Sequence, residues 1–260
     1  MYLKTSNFAG VFYPSEPKEL SLLINKFLLQ AKIKISRFPK ALIVPHAGYD
    51  FSGLVAAYGF KSIQGHSEIK KAILLGPSHN FYFSNFCSLP KGFWETPLGK
   101  VEILSKDDFP AIKTSSLFWK SKEIFEPEHC LEVEIPFLQS ILKDFKIFPL
   151  LTGEIDSFEA AEALTAIFDR ETILIVSSDL SHYLRYDQAN NLDKKTLSAI
   201  LKKDIKKLET GEACGKKAIE IVLTIAKKMG WRAELLKYLN SGDTAGDKER
   251  VVGYASVVFS

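Results

Sequence analysis

The chain has 260 residues, 46% of them hydrophobic and 25% charged, the mixture of a globular protein with enough length to bury a substantial core, which excludes disorder, collagen and disulfide scaffolds. A formal charge of +3 is too slight to argue for a nucleic-acid or membrane partner. The three cysteines, Cys87, Cys130 and Cys214, are odd in number and widely spaced, no run approaches the ~18 apolar residues of a membrane span, and MYLKTSNFAGVFYP lacks a signal peptide's apolar core, so a cytoplasmic location is expected.

In chain order, Leu20, Leu23, Ile24, Phe27 and Leu28 repeat at helical spacing behind Ser15 and Pro17, which predicts an opening helix with Ser15 as N-cap and a first-turn proline. ALIVP (Ala41 to Pro45) and KAILLGPS (Lys71 to Ser78) are short apolar runs with a helical stretch from Leu54 to Phe60 between them, the pattern of a β-α-β unit. The alternation recurs: Ile135 to Leu142 is helical, Lys146 to Leu151 strand-like, Phe158 to Phe168 helical, and Glu171 to Ser178 a buried strand. A Lys-rich helical region runs to about Leu208, and Ile219, Val222, Leu223 and Ala226 form a second helical stripe. Arg232 to Asn240 and Glu249 to Phe259 are strand-like and joined by the turn-rich SGDTAGDK, a late strand pair. The expectation is an α/β fold, one domain over residues 1–260, with a mostly parallel or mixed central sheet flanked by helices.

Ligands of open α/β sheets bind beyond the carboxyl ends of the strands, where loops converge and helix N-termini point inward. His46 follows ALIVP in PHAGY, His79 follows AILLG in GPSHN, and Asp179 with His182 follows ILIVSS in SSDLSHY. Three matching strand ends therefore carry an imidazole or a carboxylate, which predicts a shared pocket. His129, in EHCLEVEIP, stands at an expected helix start between Glu128 and Cys130, and His66 lies in a polar loop. Gly48 and Gly76 also fit tight strand-to-helix turns. Two readings stand for Cys214: a thiolate favoured by the start of the stripe-bearing helix, or a small buried cysteine without a role.

The ordered set FAGVFYP, PHAGYDFSG, LLGPSHN, TPLG, EHCLEVEIPFL, SSDLSHY and ACGKKAI resembles the Memo family, also called the AmmeMemoRadiSam system protein B group, over essentially the whole chain. That family is in turn similar in fold to the class III extradiol, LigB-like dioxygenases. The resemblance implies a metal site of His46, His79 and Cys214, with Asp179 and His182 lining the same pocket and His182 similar in role to the dioxygenases' acid/base histidine. His129 and Tyr49 are expected beside it as supporting or substrate-contacting residues. Cysteine stands where the dioxygenases place a carboxylate, and Asn80 stands where some Memo sequences have a second histidine.

Two imidazoles and a thiolate accept iron, copper or zinc, and the resemblance points to Fe(II) or Cu and to metal-dependent redox chemistry on a small molecule or a protein-bound group. It also implies a radical-SAM protein and an AMMECR1-like protein as partners. The alternative is a non-catalytic adaptor that holds metal or a peptide in the same pocket. A third reading, metal-free hydrolysis by Cys214 and His182, leaves His46 and His79 without a task. The lysine pairs from Lys194/Lys195 to Lys227/Lys228 interleave with Asp and Glu and read as solvated helix faces, not as a nucleic-acid surface.

Overall fold

Runs that are apolar at every position have no solvent-facing side, so they become the innermost strands of a sheet covered on both faces. In the computed structural model, which describes residues 2–35 and 37–260, the chain starts with strand β1 (Tyr2–Thr5), helix α1 (Pro17–Gln30), β2 (Ala41–Val44), α2 (Tyr49–Lys61) and β3 (Lys71–Pro77). Four short strands follow: β4 (Phe86–Ser88), β5 (Gly92–Thr96), β6 (Gly99–Ile103) and β7 (Phe118–Lys120). Next come α3 (Ile135–Ile141), β8 (Lys146–Thr152), α4 (Ser157–Thr165), β9 (Thr172–Ser177) and β10 (His182–Leu184). The last elements are α5 (Tyr186–Lys202), α6 (Ile205–Leu208), α7 (Lys216–Lys228), β11 (Ala233–Asn240), α8 (Ser241–Thr244) and β12 (Val251–Phe259).

The strands form one 12-stranded mixed sheet of order β1-β5-β6-β8-β3-β9-β2-β12-β10, with β11 beside β12 and β4 between β7 and β8. Its centre, β8-β3-β9-β2, is all parallel, while β12 runs antiparallel to both β2 and β11. Side chains alternate across the pleat: Ala41, Ile43, Leu174 and Val176 pack with Leu164, Ile219 and Val222 on one face. Leu42, Val44, Ile173 and Ile175 pack with Leu20, Ile24, Phe60 and Phe137 on the other. Both faces are therefore covered, and a ligand can approach only at the sheet's ends.

Several local expectations are corrected. Strand β1 precedes α1, so that helix does not open the fold. Glu16, not Ser15, occupies the N-cap position, and its side chain caps nothing, although Pro17 does sit in the first turn. The Lys-rich helix breaks where Lys203 turns left-handed at φ 54°. The SGDT stretch forms a helical turn capped by the Asn240 side chain. Strands β4 to β7 lie in a segment whose short alternating runs gave no clear sequence signal. Among the described residues, no helix is long and apolar enough to cross a membrane.

Candidate metal centre

Because β3, β9 and β2 are adjacent and parallel, the residues just past their ends share one location. His46 lies two residues beyond β2, His79 two beyond β3, and Asp179 two beyond β9. The fourth contributor arrives from far along the chain. Cys214 precedes Gly215, the N-cap position of α7, and a Cβ on Gly215 would stand 2.7 Å from Ser178 Cβ and 2.8 Å from the Ser177 carbonyl oxygen. Only glycine lets the start of α7 close on the end of β9, and that closure delivers the thiol.

Cys214 Sγ lies 3.2 Å from His46 Nε2 and accepts the Asp179 amide N–H at 3.2 Å. Ligand-capable atoms of His46, His79 and Cys214 all fall within 4.8 Å of one another. The rings of His46 and His79 meet edge-on, with centroids 5.2 Å apart. Each ring is held by its other nitrogen: His46 Nδ1 contacts Ser177 Oγ at 2.8 Å, and His79 Nδ1 contacts Glu128 Oε1 at 2.9 Å. Both Nε2 atoms are thereby left for the centre. Two imidazole nitrogens and one sulfur, oriented through their outer contacts, fit a soft or borderline transition-metal ion.

Burial sets most of the charges. It holds the His46 pKa well below the usual histidine range, reinforced by His129 and His79, so this ring is neutral and its Nε2 lone pair is available. Burial also opposes charge on His79, but the Glu128 carboxylate outweighs it and raises that pKa. Burial, and then the Asp179 carboxyl, push the Cys214 thiol up. Without a metal the thiol is therefore the protonated form in spite of the start of α7, and a thiolate here needs a bound cation.

Asp179 is 4% exposed, accepts the His46 amide N–H at 2.8 Å, and is pushed by burial up to about 7. His182, the first residue of β10, has its backbone N–H on Glu212 Oε1 at 3.0 Å, and burial lowers its pKa. The loop between them is pinned by Asp193, which accepts the Ser181 N–H at 3.0 Å. Asp179 and His182, with His46, His79 and His129, line a cavity of about 450 Å³ walled by Val11, Phe12, Phe51, Tyr183 and Val252, while Cys214 opens onto a neighbouring cavity beside Ser78 and Thr152. Cys214 is paired with His46 rather than His182, which removes the geometric basis of a Cys214/His182 hydrolase.

His129 lies in the loop ahead of the 3-10 turn Glu132–Glu134 rather than at a helix start. It stacks on His79 with centroids 4.9 Å apart and packs at a tilt against Phe12 with centroids 4.4 Å apart. Burial brings its pKa down to about 4, against the pull of Glu128. Tyr49 is placed elsewhere: its hydroxyl donates to the Val133 carbonyl at 2.7 Å, and it lines a neighbouring cavity of about 500 Å³ along α1 and α2. His66 is remote, packed on Phe38. Gly76 marks a close approach inside β3 rather than a turn, since a Cβ there would meet Cys130 Sγ and Leu131 Cδ2 at 2.8 Å.

Sequence reasoning did not find Ser177, Glu128, Glu134, Glu212 or Phe12 as parts of the site. A usable signal existed in EHCLEVEIP, where three glutamates interrupt an apolar run; Glu128, Glu132 and Glu134 are 2%, 0% and 1% exposed. Carboxyls buried to that degree require specific partners.

The sequence profile described as Memo-like protein matches residues 4–258. The chain is 37% identical over 259 residues to a MEMO1 family protein of Thermoplasma volcanium, covering 96% of each chain. It is 33% identical over 274 residues to one of Methanopyrus kandleri, again covering 96% of each. A third, from Saccharolobus solfataricus, is 34% identical over 277 residues, covering 96% of this chain and 97% of the relative. The crystal structure of an uncharacterized Escherichia coli K12 protein superposes with a TM-score of 0.53 at 11% identity, covering 86% of this chain and all of that one; that likeness concerns the fold alone.

Proposed function

The chain belongs to the Memo-like family, and on that premise we propose that it is a metal-dependent redox protein whose His46, His79 and Cys214 hold one iron or copper ion, with zinc as the third ion this donor set accepts. The observation that carries the reading is the meeting of those three side chains within 4.8 Å at the ends of neighbouring parallel strands. When bound, the metal supplies a redox-active Lewis-acid centre at which Cys214 is a thiolate.

The surrounding residues divide the remaining work. Half-buried Phe12 and Val252, with exposed Val11 and Phe51 at the mouth, offer an apolar surface to the body of a small molecule or a protein-bound group. His182, kept neutral by burial, accepts or returns a proton on the cavity side. Asp179 fixes the His46 backbone and, with a pKa near 7, exchanges a proton at neutral pH. His129, also neutral, forms an aromatic wall with Phe12.

The test is anaerobic reconstitution with Fe(II) or Cu(I), elemental analysis, and a cycle of oxidation and reduction followed by absorption. Stoichiometric metal that cycles reversibly in the wild type, and is lost from folded His46→Ala, His79→Ala and Cys214→Ser, is the expected result. Metal that binds but does not cycle would favour an adaptor instead, and no binding would defeat the metal reading.

A further inference from the structure

Behind His46 lies a second polar group that the proposed chemistry leaves without a task. Ser177 Oγ has three neighbours: His46 Nδ1 at 2.8 Å, the Cys130 carbonyl oxygen at 2.7 Å and Glu134 Oε1 at 2.7 Å. All four residues are buried, with Glu134 1% exposed and Ser177 fully covered. Ser177 is the only hydrogen-bond partner of the Glu134 side chain among the described residues.

Each contact needs one hydrogen, and Ser177 owns one. The Cys130 carbonyl has none to give, so the hydroxyl hydrogen must point there or leave two oxygens 2.7 Å apart with nothing between them. The other two contacts must then be donated to Ser177, one from His46 Nδ1–H and one from a Glu134 O–H. An ionised Glu134 would take the hydroxyl hydrogen and strand the Cys130 carbonyl. The Nε2–H form of His46 would do the same. One arrangement satisfies all three contacts.

We infer that Glu134 is a permanently protonated carboxylic acid that acts as a positioning residue: through Ser177 it fixes His46 as the Nδ1–H tautomer and aims the Nε2 lone pair at Cys214. Burial supports this independently by pushing the Glu134 acid well above the ordinary carboxyl range. The same hydroxyl ties down the loop that orients His79, because the Cys130 N–H is bonded to Glu128 at 2.9 Å and Glu128 holds His79. The consequence for ligation rests on the metal reading above; the protonation and tautomer assignments do not.

The experiment is therefore run first without metal. Isotope-edited infrared difference spectra of wild type minus Glu134→Gln should show the carbonyl band of a protonated acid at neutral pH; a carboxylate band in its place overturns the inference. Long-range ¹H–¹⁵N spectra should show His46 protonated at Nδ1 in both proteins, since the glutamine amide donates to Ser177 as the acid does. Protonation at Nε2 in the wild type overturns it. Co(II) titration follows: Ser177→Ala should bind about 10- to 100-fold more weakly, while Glu134→Gln should match wild type. A Gln variant as weak as the Ala variant would mean that a charge is required and would also overturn the inference. If the wild type shows both spectroscopic signatures but binds no metal, the metal reading fails and the assignment of Glu134 stands.

Discussion

Glu128 and Glu134 sit six residues apart in EHCLEVEIP, are 2% and 1% exposed, and both support a histidine of the same site, yet they carry opposite charge states. Glu128 receives three N–H donors, from the His79 amide, the His79 ring and the Cys130 amide. Although burial disfavours its charge, these donors bring its pKa down to about 2. Glu134 meets one hydroxyl and stays above the ordinary range. Two covered carboxyls with unequal donors give an ion nearer the rim and a neutral acid at the deeper floor. Burial pushes both carboxyls toward the neutral acid, and only where enough N–H donors oppose it does the carboxylate survive.

The strongest way to break that contrast is to remove the rim carboxylate. Glu128→Leu leaves two backbone N–H groups and the His79 ring without their acceptor, and should cost about 3 kcal/mol in metal-free protein, read by denaturant unfolding at neutral pH. A loss no larger than that of a surface substitution would show that Glu128 is not the anchor of this loop.

Glu134→Gln sharpens the contrast from the other side. The folded carboxyl pKa is raised above the unfolded value of about 4.3, so between them folding takes up a proton and stability falls as pH rises, by about 1.4 kcal/mol per pH unit. The contribution is complete below the unfolded pKa and is lost toward the folded one. The groups that sense Glu134 are Asp179, which raises it, and Tyr49 and Cys130, whose own pKa values it raises. Glutamine has no such slope. Its stability relative to wild type should therefore grow between pH 5 and 7, as seen in paired unfolding curves, and parallel curves would contradict a neutral Glu134.

A smaller effect is expected at the junction of the two ends. Gly215→Ala places a methyl group 2.7 Å from Ser178 Cβ, so α7 must back away from β9 and carry Cys214 with it. Overpacking of this kind costs about 1–3 kcal/mol, and metal affinity should fall further than in a variant equally destabilised away from α7. The smallest effect on folding belongs to His182→Gln. Among the described residues this partly exposed ring makes one long polar contact, Nδ1 to Glu212 at 3.8 Å, so stability should stay within about 0.5 kcal/mol and metal content should hold while turnover is lost.

The contrast also explains what the sequence made legible. ALIV, KAILLGP and TILIVS were readable because strands buried on both faces must be apolar at every position, and each is followed by a polar residue that its neighbours' geometry carries to the same place. Ser177 and Glu134 were hidden because their importance comes from the crossing of β9 with the 128–134 loop, a contact between residues 43 positions apart. Cys214 was singled out as a ligand by the resemblance, whereas its place at the start of α7 left the thiolate and the core-filler readings both open, because a helix-end argument counts the dipole and omits the desolvation that raises the thiol's pKa without a metal. Strands β4 to β7 are three to five residues long, too short for periodicity to separate them from loop.

The central claim, one metal held by His46, His79 and Cys214, is tested most directly by X-ray absorption at the metal edge of the reconstituted protein. The account predicts one sulfur and two imidazoles among the nearest scatterers, with the sulfur contribution absent in Cys214→Ser. A first shell of nitrogen and oxygen alone in the wild type, unchanged by that substitution, would contradict it.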